Sequence, residues 1–143
     1  MYAEIDVVIV SYNSADHLRA CVAPLASAKH IHPIVVDNDS SDRSLETIAD
    51  LAVSAIAQPG NFGFAHGCNA GWRAGSSPYV LFLNPDATID HASARRLAQV
   101  LEDHPRAGIA APKILEPDGS LGAYSLRRFP RLRSTFARRL ATI

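Results

Sequence analysis

The chain has 143 residues, 48% of them hydrophobic and 20% charged, with a formal net charge of zero. That composition fits one ordinary globular domain and gives no global field to draw in nucleic acid or a membrane surface. No apolar run reaches the roughly 20 residues that a membrane-spanning helix needs, and Glu4 and Asp6 fall where a secretory leader would be basic, so a cytoplasmic location is expected. Charge is unevenly placed: Arg127, Arg128, Arg131, Arg133, Arg138 and Arg139 crowd the end of the chain. Cys21 and Cys68 show neither metal nor disulfide spacing and read as buried free thiols.

The elements alternate. Ile5–Val10 is a mostly β-branched run and predicts a strand. It stops at Ser11-Tyr12-Asn13-Ser14, where Asn13 or Ser14 should cap a helix over 15–28, with Leu18, Cys21, Val22 and Leu25 inward and Pro24 as an interior defect. Ile31–Asp37 is a second strand. Ser40, Ser41 or Asp42 should cap a helix running through Ile48 and Leu51, and 52–57 is a weaker third strand. Gly63, Gly67, Gly71 and Gly75 then recur at every fourth position. In a helix they would share one side, and several glycines on one side imply close backbone approach. Their spacing matches neither a dinucleotide fingerprint nor a phosphate-binding P-loop.

Tyr79–Ala87 is the pivotal stretch. Val80–Leu83 is an unbroken apolar run, as in a strand buried on both faces. Pro85 ends it and leaves Asp86 just beyond its C-terminal end. A helix over 91–104 follows, with Leu97, Val100 and Leu101 inward, then a short strand at 108–111. A hairpin about Pro117-Asp118-Gly119 should join 114–115 to 121–126. Residues 129–143 space Leu132, Phe136 and Leu140 by four among arginines, the pattern of a basic amphipathic helix. The whole reads as an α/β fold with a mostly parallel sheet flanked by helices, followed by a hairpin and a basic helix.

In such sheets ligands bind beyond the C-terminal strand ends. Ser11-Tyr12-Asn13, Asp37-Asn38, Asn61 and Asn84-Pro85-Asp86 all map to that edge. A tyrosine face can stack on a nucleobase. Carboxylates and amides can read base or ribose hydrogens, and Asp86 can hold a divalent cation that neutralises a diphosphate. His66 reads as a helix-face histidine near a phosphate at most. Glu116 and Asp118 are candidate general bases that read more simply as a solvated turn.

Four segments in order carry a family resemblance. They are Val8–Ser14; Val36-Asp37-Asn38-Asp39-Ser40-Ser41-Asp42; Asn61-Phe62-Gly63-Phe64-Ala65 with Gly67, Asn69 and Gly71; and Leu83–Ala87. Together they resemble the family 2 glycosyltransferases of the GT-A fold, and within them the bacterial rhamnosyltransferase-like enzymes of cell-surface polysaccharide assembly. The resemblance covers 5–126 and implies a nucleotide-sugar domain over 1–126, with 127–143 a basic tail or the start of an acceptor region. It implies an inverting, metal-dependent transfer from a nucleotide-diphosphate sugar to a saccharide or lipid-linked acceptor.

Under that resemblance Ser11 and Tyr12 lie against base and ribose, with Asn13, Asn38 and Asn61 beside them. Asp37 bonds the base. Asn84 stands in for the first acidic residue of the D-x-D segment, and Asp86 is the ligand of Mg2+ or Mn2+. Asp39 and Arg43 depart from the pattern, which has small residues there, and no catalytic base is identified. Two further readings stay open: a nucleotide-sugar-binding module without transfer, and a nucleotidyltransferase, although Ser11–Ser14 lacks the glycine-rich turn of the latter. The tail could meet the inner face of a membrane or a second copy of the chain.

Overall fold

The computed structural model describes residues 3–116 and 118–122. The chain divides into two compact units, 1–110 and 111–143. The first holds four strands and three helices. In chain order these are β1 (Ile5–Ser11), α1 (Ala15–Ala26), β2 (Ile31–Asp37), a 3-10 turn (Leu45–Ile48), β3 (Ser54–Ala57), α2 (Phe64–Ala74), β4 (Tyr79–Leu83) and α3 (His91–Asp103).

The sheet is fully parallel, in the order β3-β2-β1-β4. Ile5 pairs with Ile31 and Tyr79, and Ile9 with Val35 and Leu83. The chain builds outward from β1 through β2 to β3, then returns to the other side of β1 as β4. That reversal is a topological switch point, the place where open α/β sheets leave a crevice beyond their C-terminal ends.

Side chains of β1 alternate between two environments. Ile5, Val7 and Ile9 join Leu18, Cys21, Val22 and Leu25 of α1, Ile48, and Ala94 and Ala98 of α3 in one buried cluster. Asp6, Val8 and Val10 face α2 on the opposite side. There the glycine spacing has its explanation. A Cβ on Gly67 would sit 2.7 Å from a Val10 methyl. One on Gly71 would run into Val8, and one on Gly75, at the helix end, into the Asp6 carboxylate. Gly63 plays a different part: it precedes the helix with φ of 85°. The flank of α2 away from the sheet leaves Phe64 and Trp72 more than half exposed.

Asp6 is a buried carboxylate in mid-strand whose partner is remote in the sequence. Ser77 donates its amide at 2.8 Å and its hydroxyl at 2.7 Å to the two carboxylate oxygens. This ties the start of β1 to the link between α2 and β4. A buried carboxylate without such donors would cost several kcal/mol, on the order of an unpaired internal charge.

Several expectations need correction. The 108–111 segment forms no ladder, and Ile109 is 87% exposed. A strand exists only through its pairing, and Gly108 with Pro105 and Pro112 gives this segment little intrinsic reason to extend. The helix expected after Ser40–Asp42 shrinks to the four-residue turn Leu45–Ile48. The buried residues of α3 are Ala94 and Ala98, with Leu97, Val100 and Leu101 half-buried. A helix that comes close to its neighbours buries small side chains at the contact and spreads the larger ones to its sides. By contrast, α1 runs through Pro24 without a break.

In the second unit, a bridge between Leu115 and Leu121 encloses a turn. Gly119, at φ of 81°, donates to the Glu116 carbonyl at 2.8 Å. The arm of the expected hairpin beyond 122, the 126/127 boundary and the basic helix lie outside the described residues. Among the described residues no helix is long and apolar enough to cross a membrane.

At the N-terminal end of the sheet, Glu4 accepts hydrogen bonds from His30 and His32, each at 2.7 Å. These bonds hold the Glu4 carboxyl below its ordinary value of 4.5, with burial opposing weakly. A carboxyl depressed by folding adds stability above its unfolded value and loses it as pH falls through the folded one. Glu4→Gln should therefore melt below the wild type at pH 6, and the gap should close as pH drops beneath about 4.5. Melting curves from pH 3 to 7 check this. A gap unchanged across that range would contradict it.

Candidate functional site at the C-terminal strand edge

Each sequence-predicted site residue lies at a strand end or in the loop that follows it. Ser11 closes β1 and is fully buried, and Asp37 closes β2 at 6% exposure, opposite Ser11 in the register. Asn38 is 2% exposed, and its amide donates to the Ser11 carbonyl at 2.8 Å. The Asn38 side-chain amide donates to Asn61 Oδ1 at 3.2 Å, and that oxygen also accepts the Gly63 amide at 3.0 Å. Ser11, Asp37, Asn38 and Asn61 therefore form one connected floor across β1, β2 and the loop after β3. Ser11 Oγ and Asn38 Oδ1 are buried there without a hydrogen-bond partner. Among the described residues only His91 Nε2, on α3, is in the same state, and buried polar atoms of this kind are rare in native folds.

Above that floor the exposed groups take over. Tyr12 is 52% exposed, with its ring available to a planar ligand. Asn13 follows at φ of 50°, a left-handed conformation that asparagine tolerates better than most residues. Its side-chain oxygen accepts the Ser41 amide at 2.8 Å, the Ser41 hydroxyl at 3.2 Å and the Asp42 amide at 3.4 Å.

This arrangement overturns the capping expectation. Neither Asn13 nor Ser14 caps α1 with its own side chain. The first amides of α1 instead take acceptors from the loop after β2. Ser14 N donates to Ser44 Oγ and Ala15 N to an Asp42 oxygen, each at 2.9 Å. The Asp42 carboxyl is held below its ordinary value by the Ser44 hydroxyl and then by the Ala15 amide. Ser40 and Asp42 were legible, with Ser41, as candidate caps after a strand, and Ser44 was not. Nor were the partners of Ser40, Asp42 and Ser44, some 27 to 30 residues away. Asp39 stands at φ of 66°, a conformation glycine adopts without strain.

The Asn84-Pro85-Asp86 turn follows β4, whose last pair is Leu83 with Ile9, two residues short of the end of β1. The Asn84 carbonyl accepts the Ala87 amide at 3.1 Å and the Cys21 thiol at 3.5 Å. The thiol is pushed up to about 11, chiefly by burial and secondarily by the negative charge of Asp86. It therefore stays protonated and able to donate. Asn84 and Asp86 themselves are exposed, and the Asp86 carboxylate makes no hydrogen bond or ion pair within the described residues.

Among the described residues no cluster of three His, Cys, Asp or Glu could enclose a metal. The donor set fits a different kind of site. A hard cation such as Mg2+ or Mn2+ is commonly held by one or two carboxylates and completed by phosphate oxygens and water. A free, exposed carboxylate at the switch point suits that role. His66 packs against Phe62 with ring centroids 5.0 Å apart and planes tilted by 45°, as a helix-face histidine. Asp118 accepts the Ser120 amide at 2.9 Å, and its carboxyl is held below its ordinary value by Ser120, as in the solvated turn the sequence suggested. The groove lined by Ala3, His91, Arg95, Gln99 and Glu102 contains none of these strand-end residues.

Comparison with known proteins shows the family and the fold of the chain. The profile described as "Glycosyl transferase family 2" matches residues 6–142, nearly the whole chain. The chain belongs to that family. It is 28% identical over 132 residues to rhamnosyltransferase WbbL of Escherichia coli (strain K12), covering 87% of this chain and 50% of that protein. It is also 28% identical over 141 residues to the N-acetylglucosaminyl-diphospho-decaprenol L-rhamnosyltransferase of Mycobacterium tuberculosis (strain ATCC 25618 / H37Rv), covering 88% of this chain and 46% of that one. Among solved structures, the mannosyltransferase PcManGT from Pyrobaculum calidifontis, in complex with GDP-Man and Mn2+, superposes with a TM-score of 0.65 at 19% identity. That match covers 73% of this chain and 34% of the other, and it shows the shared GT-A architecture. This family 2 chain spans about half the length of the curated relatives it matches.

Proposed function

We propose that this family 2 chain binds a nucleotide-diphosphate sugar in the crevice at the β1–β4 switch point and forms the donor half of an inverting glycosyltransferase. The product is a cell-surface polysaccharide, built on a saccharide or lipid-linked acceptor. The observation that carries this reading is the joined floor of Ser11, Asp37, Asn38 and Asn61, capped by an exposed tyrosine and flanked by the unpaired Asp86. Two rhamnosyltransferases among the relatives and a GDP-Man and Mn2+ complex among the structural neighbours support the donor chemistry. A lipid-linked acceptor, as in the name of the mycobacterial relative, would place the reaction at the inner face of a membrane. The family assignment leaves the nucleotidyltransferase reading without support.

In this proposal Tyr12 stacks on the base and Asp37 accepts its N–H. Asn13, Asn38 and Asn61 order the loops around the ribose, with Asn84 offering an amide to it. Asp86 would hold Mg2+ or Mn2+, which neutralises the diphosphate as it leaves. Acceptor positioning and the general base are assigned to none of the described residues. Binding without transfer is thus the reading to hold for these residues by themselves, since in-line orientation and a placed base are both needed for transfer.

Asp37→Ala tests the base contact. A hydrogen bond to a charged acceptor contributes about 1.5–3 kcal/mol, so nucleoside diphosphate affinity should fall at least about tenfold. Calorimetric titration on a folded variant reads this directly. An unchanged dissociation constant would remove Asp37 from the base site.

A further inference from the structure

One residue outside the assigned site ties its two base-contacting parts together. The Ser40 amide donates to Asp37 Oδ2 at 3.0 Å, and the Ser40 hydroxyl donates to Asp37 Oδ1 at 2.6 Å. The same hydroxyl oxygen accepts the Asn13 amide at 2.9 Å. The direction of each bond is fixed by chemistry. A backbone N–H can only donate, so the Asn13 amide takes a lone pair of Ser40 Oγ. The single hydroxyl hydrogen is then free to go to Asp37. Both Asp37 oxygens accept from one residue, which sets the plane of the carboxylate. Each oxygen keeps a second lone pair.

We propose that Ser40 is the positioning residue of the base site, holding the Asp37 carboxylate and the Tyr12-Asn13 backbone in one geometry that accepts bases presenting a ring N–H. This inference rests on the nucleotide-binding reading above and narrows it to a substrate class. An acceptor-only carboxylate held in a fixed plane matches the ring N–H of uracil, thymine or guanine. Adenine and cytosine offer an unprotonated ring nitrogen beside their amino group, and its lone pair would face the carboxylate. Ser40 reaches the ligand only through Asp37 and Asn13, so its loss should degrade base recognition and leave diphosphate recognition alone.

The test uses the 143-residue chain with Mn2+ present and calorimetric titration of uridine, thymidine, guanosine, adenosine and cytidine diphosphates, with inorganic pyrophosphate as the base-free probe. Wild type should prefer at least one of the first three over the last two. Ser40→Ala should weaken the preferred nucleotide by about tenfold, the scale of a lost charge-assisted bond, with pyrophosphate unchanged. Ser40→Thr, which keeps the hydroxyl, should bind like wild type. Amide exchange at Asn13 should quicken in Ser40→Ala even without ligand, because its acceptor is gone.

Equal loss for nucleotide and pyrophosphate would overturn the proposal, as would unchanged nucleotide affinity in Ser40→Ala. A preference for adenosine or cytidine diphosphate would overturn the substrate class. Wild type binding pyrophosphate as tightly as every nucleotide would instead defeat the nucleotide-binding reading itself, and this proposal with it. If Ser40→Ala does not fold, the wild-type base preference and the Ser40→Thr titration still decide.

Discussion

Replacing Gly71 with valine will remove a large part of the domain's stability, and replacing it with alanine will already destabilise it by about 2 kcal/mol. Two effects oppose each other at this position. Alanine gains up to about 1 kcal/mol over glycine in a helix interior. Against that, its Cβ would overlap a methyl of Val8 and crowd Val36, at 3.2 Å. Val8 is buried in the middle of β1 and β-branched, so it has no free rotamer to move into. Relief requires lifting α2 from the sheet, which would also loosen the contacts of Gly67 with Val10 and Gly75 with Asp6. Overpacking of this kind costs about 1–3 kcal/mol and sometimes more, enough to exceed the helical gain. Domains have only about 5–15 kcal/mol in total, and the bulkier valine consumes a large part of it. Gly108→Ala is the control, because nothing lies within 4 Å of a Cβ there. Urea denaturation of the three variants measures the differences. A Gly71→Ala chain as stable as wild type would show that α2 does not depend on close approach.

Asp86→Ala will weaken metal-dependent binding of a nucleoside diphosphate at least about tenfold and leave the fold intact. The carboxylate is exposed and bonded to no described group, so its loss leaves nothing unpaired. The turn that presents it is held separately, by Ala87 and Cys21 on the Asn84 carbonyl. The expected cost is therefore one of binding. Interactions with a charged partner contribute about 1.5–3 kcal/mol, which sets the tenfold scale. The part of the affinity that survives a chelator should be equal in wild type and variant. Loss of both parts together would mean that Asp86 acts on the shape of the site and not through a cation.

The strands were the legible part of this fold. Ile5–Val10 and Ile31–Val36 form strands buried in the sheet, while Val80–Leu83 forms the edge strand β4, which is only half-buried and leaves Phe82 50% exposed, against the expectation of cover on both faces; each run ends in polar residues at the same edge. The candidate site could be read for the same reason, since a strand end announces where its polar residues will stand. The glycine spacing signalled close approach, but not that Val8, Val10 and Asp6 would be the neighbours.

Information carried by remote partners stayed hidden. Ser40, Ser41 and Asp42 look like caps for the helix that follows them, and Ser44 gives no signal of its own. In the fold, the amides of Asn13, Ser14 and Ala15 claim oxygens of Ser40, Ser44 and Asp42, and the following segment keeps only a short turn. Asp6 looks misplaced inside an apolar strand until Ser77 arrives from 71 residues away. In α3 the leucines drew attention, although the inner contact is made by Ala94 and Ala98.

The central claim is that the β1–β4 crevice is a nucleoside diphosphate site completed by a divalent cation. Titrating the wild-type chain with a panel of nucleoside diphosphates, with Mn2+ and again with excess chelator, tests it most directly. The account predicts saturable binding of at least one nucleotide, tightened at least about tenfold by the metal, at one site per chain. Heats that do not saturate for any nucleotide, or an affinity the same with and without Mn2+, would contradict it.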